Sequence, residues 1–183
     1  MLTRAHRTTL LAALLVVFAC LLPAVAAASS SGGAAYQPPP KKATVRNGKA
    51  IAPSNAPQEV KDIIKAANKI VTKPYRYGGG HGKWNDSGYD CSGSVSYALH
   101  GAGLLASSLD STGFMHWGKG GAGKWVTIYA NSGHAFMMVA GLRFDTGYRD
   151  EWGKRHGAKP GSGPRWGKKR STDGFYVRHP SGL

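Results

Sequence analysis

Cys91 lies in Tyr89-Asp90-Cys91-Ser92-Gly93, at the foot of an apolar helical stretch, and His134 follows Ser132-Gly133 at the start of an apolar strand-like run. A thiol and an imidazole together can do nucleophilic acyl chemistry: the thiolate attacks a carbonyl carbon, and the imidazole accepts a proton and later returns one to the leaving amine. In the first turn of a helix, unsatisfied backbone N–H groups and the helix dipole favour the thiolate, the form that attacks. The chain has 2 cysteines, and Cys20 falls in an apolar N-terminal run that reads as a removable leader, so Cys91 has no disulfide to make in the exported product. The imidazole also needs an acceptor on its second nitrogen to orient it. If the chain turns near Ala140-Gly141, Asp145 stands within a residue or two of the position opposite His134, where cross-strand Cβ atoms are about 5 Å apart. Asp145 is the first choice for that role, with His179 and Asn131 as alternatives.

These residues depend on a small set of elements. Val60, Ile63, Ile64, Ala67, Ile70 and Val71 recur at helical spacing, with Ser54 or Asn55 available as caps, Pro57 tolerated in the first turn and Pro74 as the stop. A loop rich in Gly and polar residues (78–88) leads to Cys91, and Val95, Ala98, Leu99, Ala102 and Leu105 continue a second apolar stripe. The period then changes: residues 125–130 and 134–140 are β-branched, aromatic and aliphatic runs of strand length, Gly141 allows a hairpin into residues 142–145, and residues 175–178 form a last short strand. Helices first and strands later imply an α+β domain, with N-terminal helices packed on an antiparallel β-sheet.

Residues 1–28 read as an export signal, with Arg4, His6 and Arg7 as the basic start, an apolar run over 10–22 and small residues at 24–28 for cleavage. Val17-Phe18-Ala19-Cys20 faintly resembles a lipoprotein cleavage box, which would anchor the product through one marginal lipid chain; otherwise membrane contact is only transient. Residues 29–56 are rich in Ser, Gly, Ala, Pro and Lys with no acid, and read as a disordered basic linker; the folded domain is expected over 57–183. The net charge of +15 stays strongly positive without the leader, because all 9 acids lie beyond it. Outside the cytoplasm such a charge suits anionic cell-wall polymers and lipid head groups; export and the lack of a nucleic-acid-binding motif argue against nucleic acid. A monomer, secreted or held at the cell wall, is expected.

Pro74-Tyr75-Arg76-Tyr77-Gly78-Gly79, then Tyr89-Asp90-Cys91-Ser92-Gly93, then Gly133-His134 at a strand start, resemble the successive motifs of the NlpC-type cell-wall peptidase family. The resemblance implies a papain-like cysteine peptidase that cuts the stem peptides of peptidoglycan, with Cys91 as nucleophile, His134 as base and Asp145 at the third polar position. It also implies that Tyr75 lines the site and that Asp90 and Ser92 help to hold substrate. The chain departs from the family in carrying Asp145 where His, Asn or Gln is common, and Gly123-Lys124-Trp125 where a Gly-Asp pair is usual. From Lys154 onward it holds eight Lys or Arg against one acid, a tail suited to anionic polymer or to plain solvation.

Other signals carry less. Residues 118–123 satisfy the dinucleotide glycine pattern, but a strand follows where a helix is needed, so they read as a mobile loop. His81, His100, His116 and His156 lack metal-ligand spacing, so neither a metal nor a cofactor is expected. Trp84, Trp117, Trp152 and Trp166 sit among Gly and cationic residues and suit the core edge or sugar stacking. Two rivals to an endopeptidase remain: an amidase or acyl transferase using the same thiol, and a non-catalytic wall-binding module.

Overall fold

Asn47 and Gly48 both take positive φ (50° and 75°), the pairing that closes a two-residue hairpin in the twist strands prefer. They join β1 (Thr44–Arg46) to β2 (Lys49–Ile51) in antiparallel register. The computed structural model describes residues 42–147 and 163–183, all within the compact unit Pro38–Leu183. The expected leader with Cys20, the linker through residue 41, and Trp152, His156 and the start of the basic tail lie outside the described residues. Part of the segment expected to be linker is therefore structured, and the helices are not N-terminal but follow this hairpin. The Asn-Gly turn supplies the geometry, and contacts distant in sequence supply the stability.

One such contact is Asn68, on α1 (Gln58–Ile70). Its Nδ2 donates to Ala50 O at 2.8 Å, while its Oδ1 accepts from Ala50 N at 2.9 Å and from Trp166 Nε1 at 2.8 Å. A single amide thus replaces a missing ladder partner for β2 and ties helix, hairpin and sheet together. Asn68→Ala strands three part-buried polar groups, each costing roughly 1 kcal/mol or more. We expect denaturant melts to show a loss of about 2–4 kcal/mol, with the hairpin amides losing hydrogen-exchange protection first.

Val60, Ile63, Ile64, Ala66, Ala67 and Ile70 form the buried face of α1, and each large aliphatic side chain contributes about 1.5–3 kcal/mol by leaving water. Neither Ser54 nor Asn55 caps it; Pro57 holds the cap position without a side-chain bond, its rigid φ standing in for a cap. α2 (Cys91–His100) packs on α1 so closely that a Cβ at Gly101 would lie 2.4 Å from Ala66 Cβ. A short α3 (Ser111–Phe114), capped by Asp110, precedes the sheet.

Among the described residues the sheet has six antiparallel strands in the order β3-β8-β4-β5-β6-β7, with β3 Lys119–Gly120, β4 Val126–Asn131, β5 His134–Val139, β6 Leu142–Asp145, β7 Arg165–Gly167 and β8 Tyr176–His179. Ala135, Met137, Val139 and Phe144 are buried in the core, with α2 packed against β5 and β6. The chain is thus α+β, a multi-stranded antiparallel sheet packed against helices. The Gly-rich segment read as a mobile loop contributes edge strand β3, held by β8 and by Gly121 N donating to Val177 O at 2.9 Å. No described helix is long and apolar enough to cross a membrane.

Candidate active site

The loop before α2 is built around the carboxylate of Asp90. As N-cap it accepts from Gly93 N at 2.7 Å; its other oxygen accepts from Gly78 N at 3.0 Å, and His81 Nε2 and Ser92 Oγ approach Oδ1 at 3.0 and 3.3 Å. Backbone bonds from Arg76 N to Tyr89 O and from Asp90 N to Gly79 O lay residues 75–79 alongside the entry to α2. The fit has no slack at Gly93, where a Cβ would lie 2.0 Å from Gly79 O and 3.1 Å from Asp90 Oδ1. We expect Gly93→Ala to cost about 1–3 kcal/mol by overpacking, and to slow alkylation of Cys91 by iodoacetamide as the loop is displaced. Thermal melts and thiol-labelling rates read the two effects.

Cys91 opens α2 and is half-buried. Across from it, the turn Ser132-Gly133 is closed by Asn131 Oδ1, which accepts from Gly133 N at 3.0 Å and His134 N at 2.9 Å. β5 pairs with β6 as Met137 with Phe144 and Val139 with Leu142. Continuing that register sets Asp145 opposite Phe136, two residues from His134 and on the same face. The long imidazole bridges this diagonal, and His134 Nε2 meets Asp145 Oδ1 at 2.8 Å. With Nε2 engaged, Nδ1 is the nitrogen left free of Asp145, and the ring is near enough to Cys91 for each to shift the other's titration.

Burial works against every charge in this cluster, yet the partners prevail. For Cys91 burial raises the thiol pKa, but the hydrogen bond with His134, the Ala135 N–H and the imidazole charge bring it below its ordinary value. For His134 burial favours the neutral ring, but hydrogen bonds with Asp145 and Cys91, and their charges, lift it to about 9. For Asp145, fully buried, the bond and charge of His134, the Gly147 N–H and Arg143 outweigh desolvation and lower the carboxyl pKa. Arg143 Nε and Arg170 Nη1 stand 3.4 and 3.3 Å from Asp145 Oδ2. Each group thus favours the charged form of the other, imidazolium beside thiolate.

Of the three residues considered for orienting the imidazole, Asp145 is the one bonded to the ring; Asn131 serves the turn, and His179 Nδ1 faces Gly121 O at 3.0 Å. Tyr75 is 36 % exposed and close enough to Cys91 and Asp90 that, after burial, their charges raise its phenol pKa. Asp90 and Ser92 are buried at 7 % and 4 % exposure, and their polar atoms bond within the loop and cap that lead into Cys91. Sequence reasoning did not find Arg143, which lies two residues before Asp145 on the same face of β6, or Arg170, which meets the carboxylate from 25 residues away. It set His81 aside for want of metal spacing, whereas the ring braces Asp90. No group of three or more His, Cys, Asp or Glu that would suit a metal occurs among the described residues.

No protein-family model matches the chain, and no curated protein matches it. Among solved structures it is similar to the peptidoglycan hydrolase RipB from Mycobacterium tuberculosis, at 23% identity and a TM-score of 0.49 over 70% of this chain and 68% of that one. It is also similar to a hypothetical invasion protein of Mycobacterium tuberculosis (19% identity, TM-score 0.47, 75% and 71% covered). The Resuscitation Promoting Factor Interacting protein RipA, solved in variants mutated at single positions, matches at 19% identity and TM-score 0.47 over 75% and 71%.

Proposed function

We propose that the chain is an exported, papain-like cysteine endopeptidase that hydrolyses peptide bonds in peptidoglycan stem peptides. What supports the reading is the His134–Asp145 hydrogen bond together with a thiol at the N-terminus of α2 whose pKa the imidazole lowers. Thiolate attack on the scissile carbonyl forms a tetrahedral oxyanion, which the Cys91 backbone N–H, left without an intrahelical acceptor in the first turn, is suited to receive. The His134 imidazolium donates its proton to the departing amine and releases it from an acyl-enzyme; neutral imidazole then takes a proton from water, which attacks the thioester and frees the thiol. Asp145 keeps the ring oriented throughout, and Tyr75 presents an exposed ring beside the thiol to substrate.

The substrate class rests on the motif resemblance and on the strong positive charge, which suits an anionic wall meshwork outside the cell. Mass spectrometry of purified muropeptides after incubation with the protein, beside Cys91→Ala and His134→Ala, tests it. Fragments split within the stem peptide, absent from both variants, are the expected result. Release of the intact stem from the sugar would make the enzyme an amidase, and unchanged muropeptides with a reduced, folded protein would remove the proposal.

A further inference from the structure

We propose that the groove between α1 and β2 is a second binding site, for a linear phosphodiester polymer of the cell wall. Lys61, Lys65 and Lys69 recur every four residues along α1, so their charges stand about 6 Å apart in a row, and Lys49 faces them from β2. Together they rim a shallow, open groove floored by Ala52, Ile64 and Asn68. Like charges at this spacing repel, an effect that Lys69 at the helix C-terminus and Asp62 three residues before Lys65 offset only in part. Among the described residues none of the four makes a salt bridge; Asp62, on the same helix, accepts from Gln58 Nε2 at 3.1 Å. A row of cations over an apolar floor matches a chain in which phosphates alternate with short polyol carbons, a repeat of similar length.

Other occupants fit poorly. The chain's own N-terminal segment cannot neutralise the groove, because no acid precedes Glu59, and a second copy would bring a body of net charge +15 against it. A single row of lysines along one helix matches one linear chain better than a sheet of lipid head groups. Preference for wall polymer over nucleic acid rests on the proposed export; the groove itself is separate from Cys91 and does not depend on the hydrolytic reading.

The test is binding of free polyglycerol phosphate to the full chain across a salt series, comparing Lys61→Gln/Lys65→Gln/Lys69→Gln with Lys119→Gln/Lys124→Gln/Lys168→Gln, which removes equal charge elsewhere. The α1 triple variant is expected to bind at least about tenfold more weakly and to lose about 2 from the salt slope, as three fewer contacts to a flexible polyanion predict. The control variant should change less than threefold. Gln is as good a helix former as Lys, so circular dichroism should stay unchanged. Equal losses in both variants, or no binding by the intact chain, would overturn the site. So would tighter binding to single-stranded DNA, or to phosphatidylglycerol vesicles, through the same lysines. Muropeptide cleavage should persist in the α1 variant, which separates this proposal from the catalytic one.

Discussion

Cys91→Ala is expected to abolish stem-peptide hydrolysis, by a factor of at least about 10⁴, while leaving the melting curve nearly unchanged. The thiol supplies the only covalent step in the proposed mechanism, and a methyl group leaves His134 and Asp145 in place but with nothing to activate. Cys91 is half-buried and packs at the first turn of α2, so its truncation removes one sulfur from a site already open to solvent. The pH profile of the intact protein should carry the signature of the pair. On the acid side activity falls as the thiolate protonates, at a pKa below that of an ordinary thiol; on the alkaline side it falls as the imidazolium deprotonates near pH 9. Iodoacetamide labelling followed against pH reads the first limb without substrate. A labelling midpoint at the ordinary thiol value would show that the imidazole does not activate Cys91.

Asp145→Ala is expected to be the more destructive change, costing about 3–5 kcal/mol of stability as well as about 10²–10⁴ in rate. The carboxylate is fully buried, accepts from His134 and Gly147, and meets Arg143, itself fully buried, and Arg170. Without it, cations in a low-dielectric site lose their counter-charge, and the imidazole is no longer held. Asp145→Asn separates the two effects, since an amide oxygen can still orient the ring but carries no charge. Its imidazole pKa should drop from about 9, moving the alkaline limb of activity to lower pH.

The same groups set the pH window of stability. Asp145 has a folded pKa below its unfolded value near 3.8, so its contribution is present above that value and is lost as pH falls through the folded one. His134 has a folded pKa of about 9 against an ordinary 6.5, so its contribution is complete below 6.5 and is lost as pH rises through 9. Both operate together between about pH 4 and 6.5, where the melting temperature should peak, and Asp145→Asn should flatten both flanks. A melting temperature independent of pH from 6 to 10 would rule out the charged pair.

How much of this could be read beforehand follows the range of the interaction. The two long helices announced themselves through apolar spacing at 3 and 4 residues, and the β5–β6 hairpin through Ala140-Gly141, whose positive φ values of 46° and 84° the turn requires. The hairpin at residues 44–51 escaped notice although Asn47-Gly48 was a legible turn signal; three-residue strands bury too little to show a pattern, and what holds them is an amide on α1. β7 likewise has no periodicity of its own and is fixed by pairing with β6 and by the Trp166 bond to Asn68.

The sequence by itself determined the local matters: which segments coil or extend, where they turn, and that a thiol stands at a helix start with a histidine at a strand start. Those depend on side chains a few residues apart and on backbone preferences that act without the rest of the chain. Tertiary structure alone decided that Asp145 rather than Asn131 or His179 meets the imidazole, that two arginines share the carboxylate, and that Asp90 is buried as a brace. It also lined up Lys49 with the α1 lysines across a groove. Apart from Arg143, which neighbours Asp145 on β6, these contacts chiefly join groups from different elements, and their strength comes from the low dielectric that only packing creates.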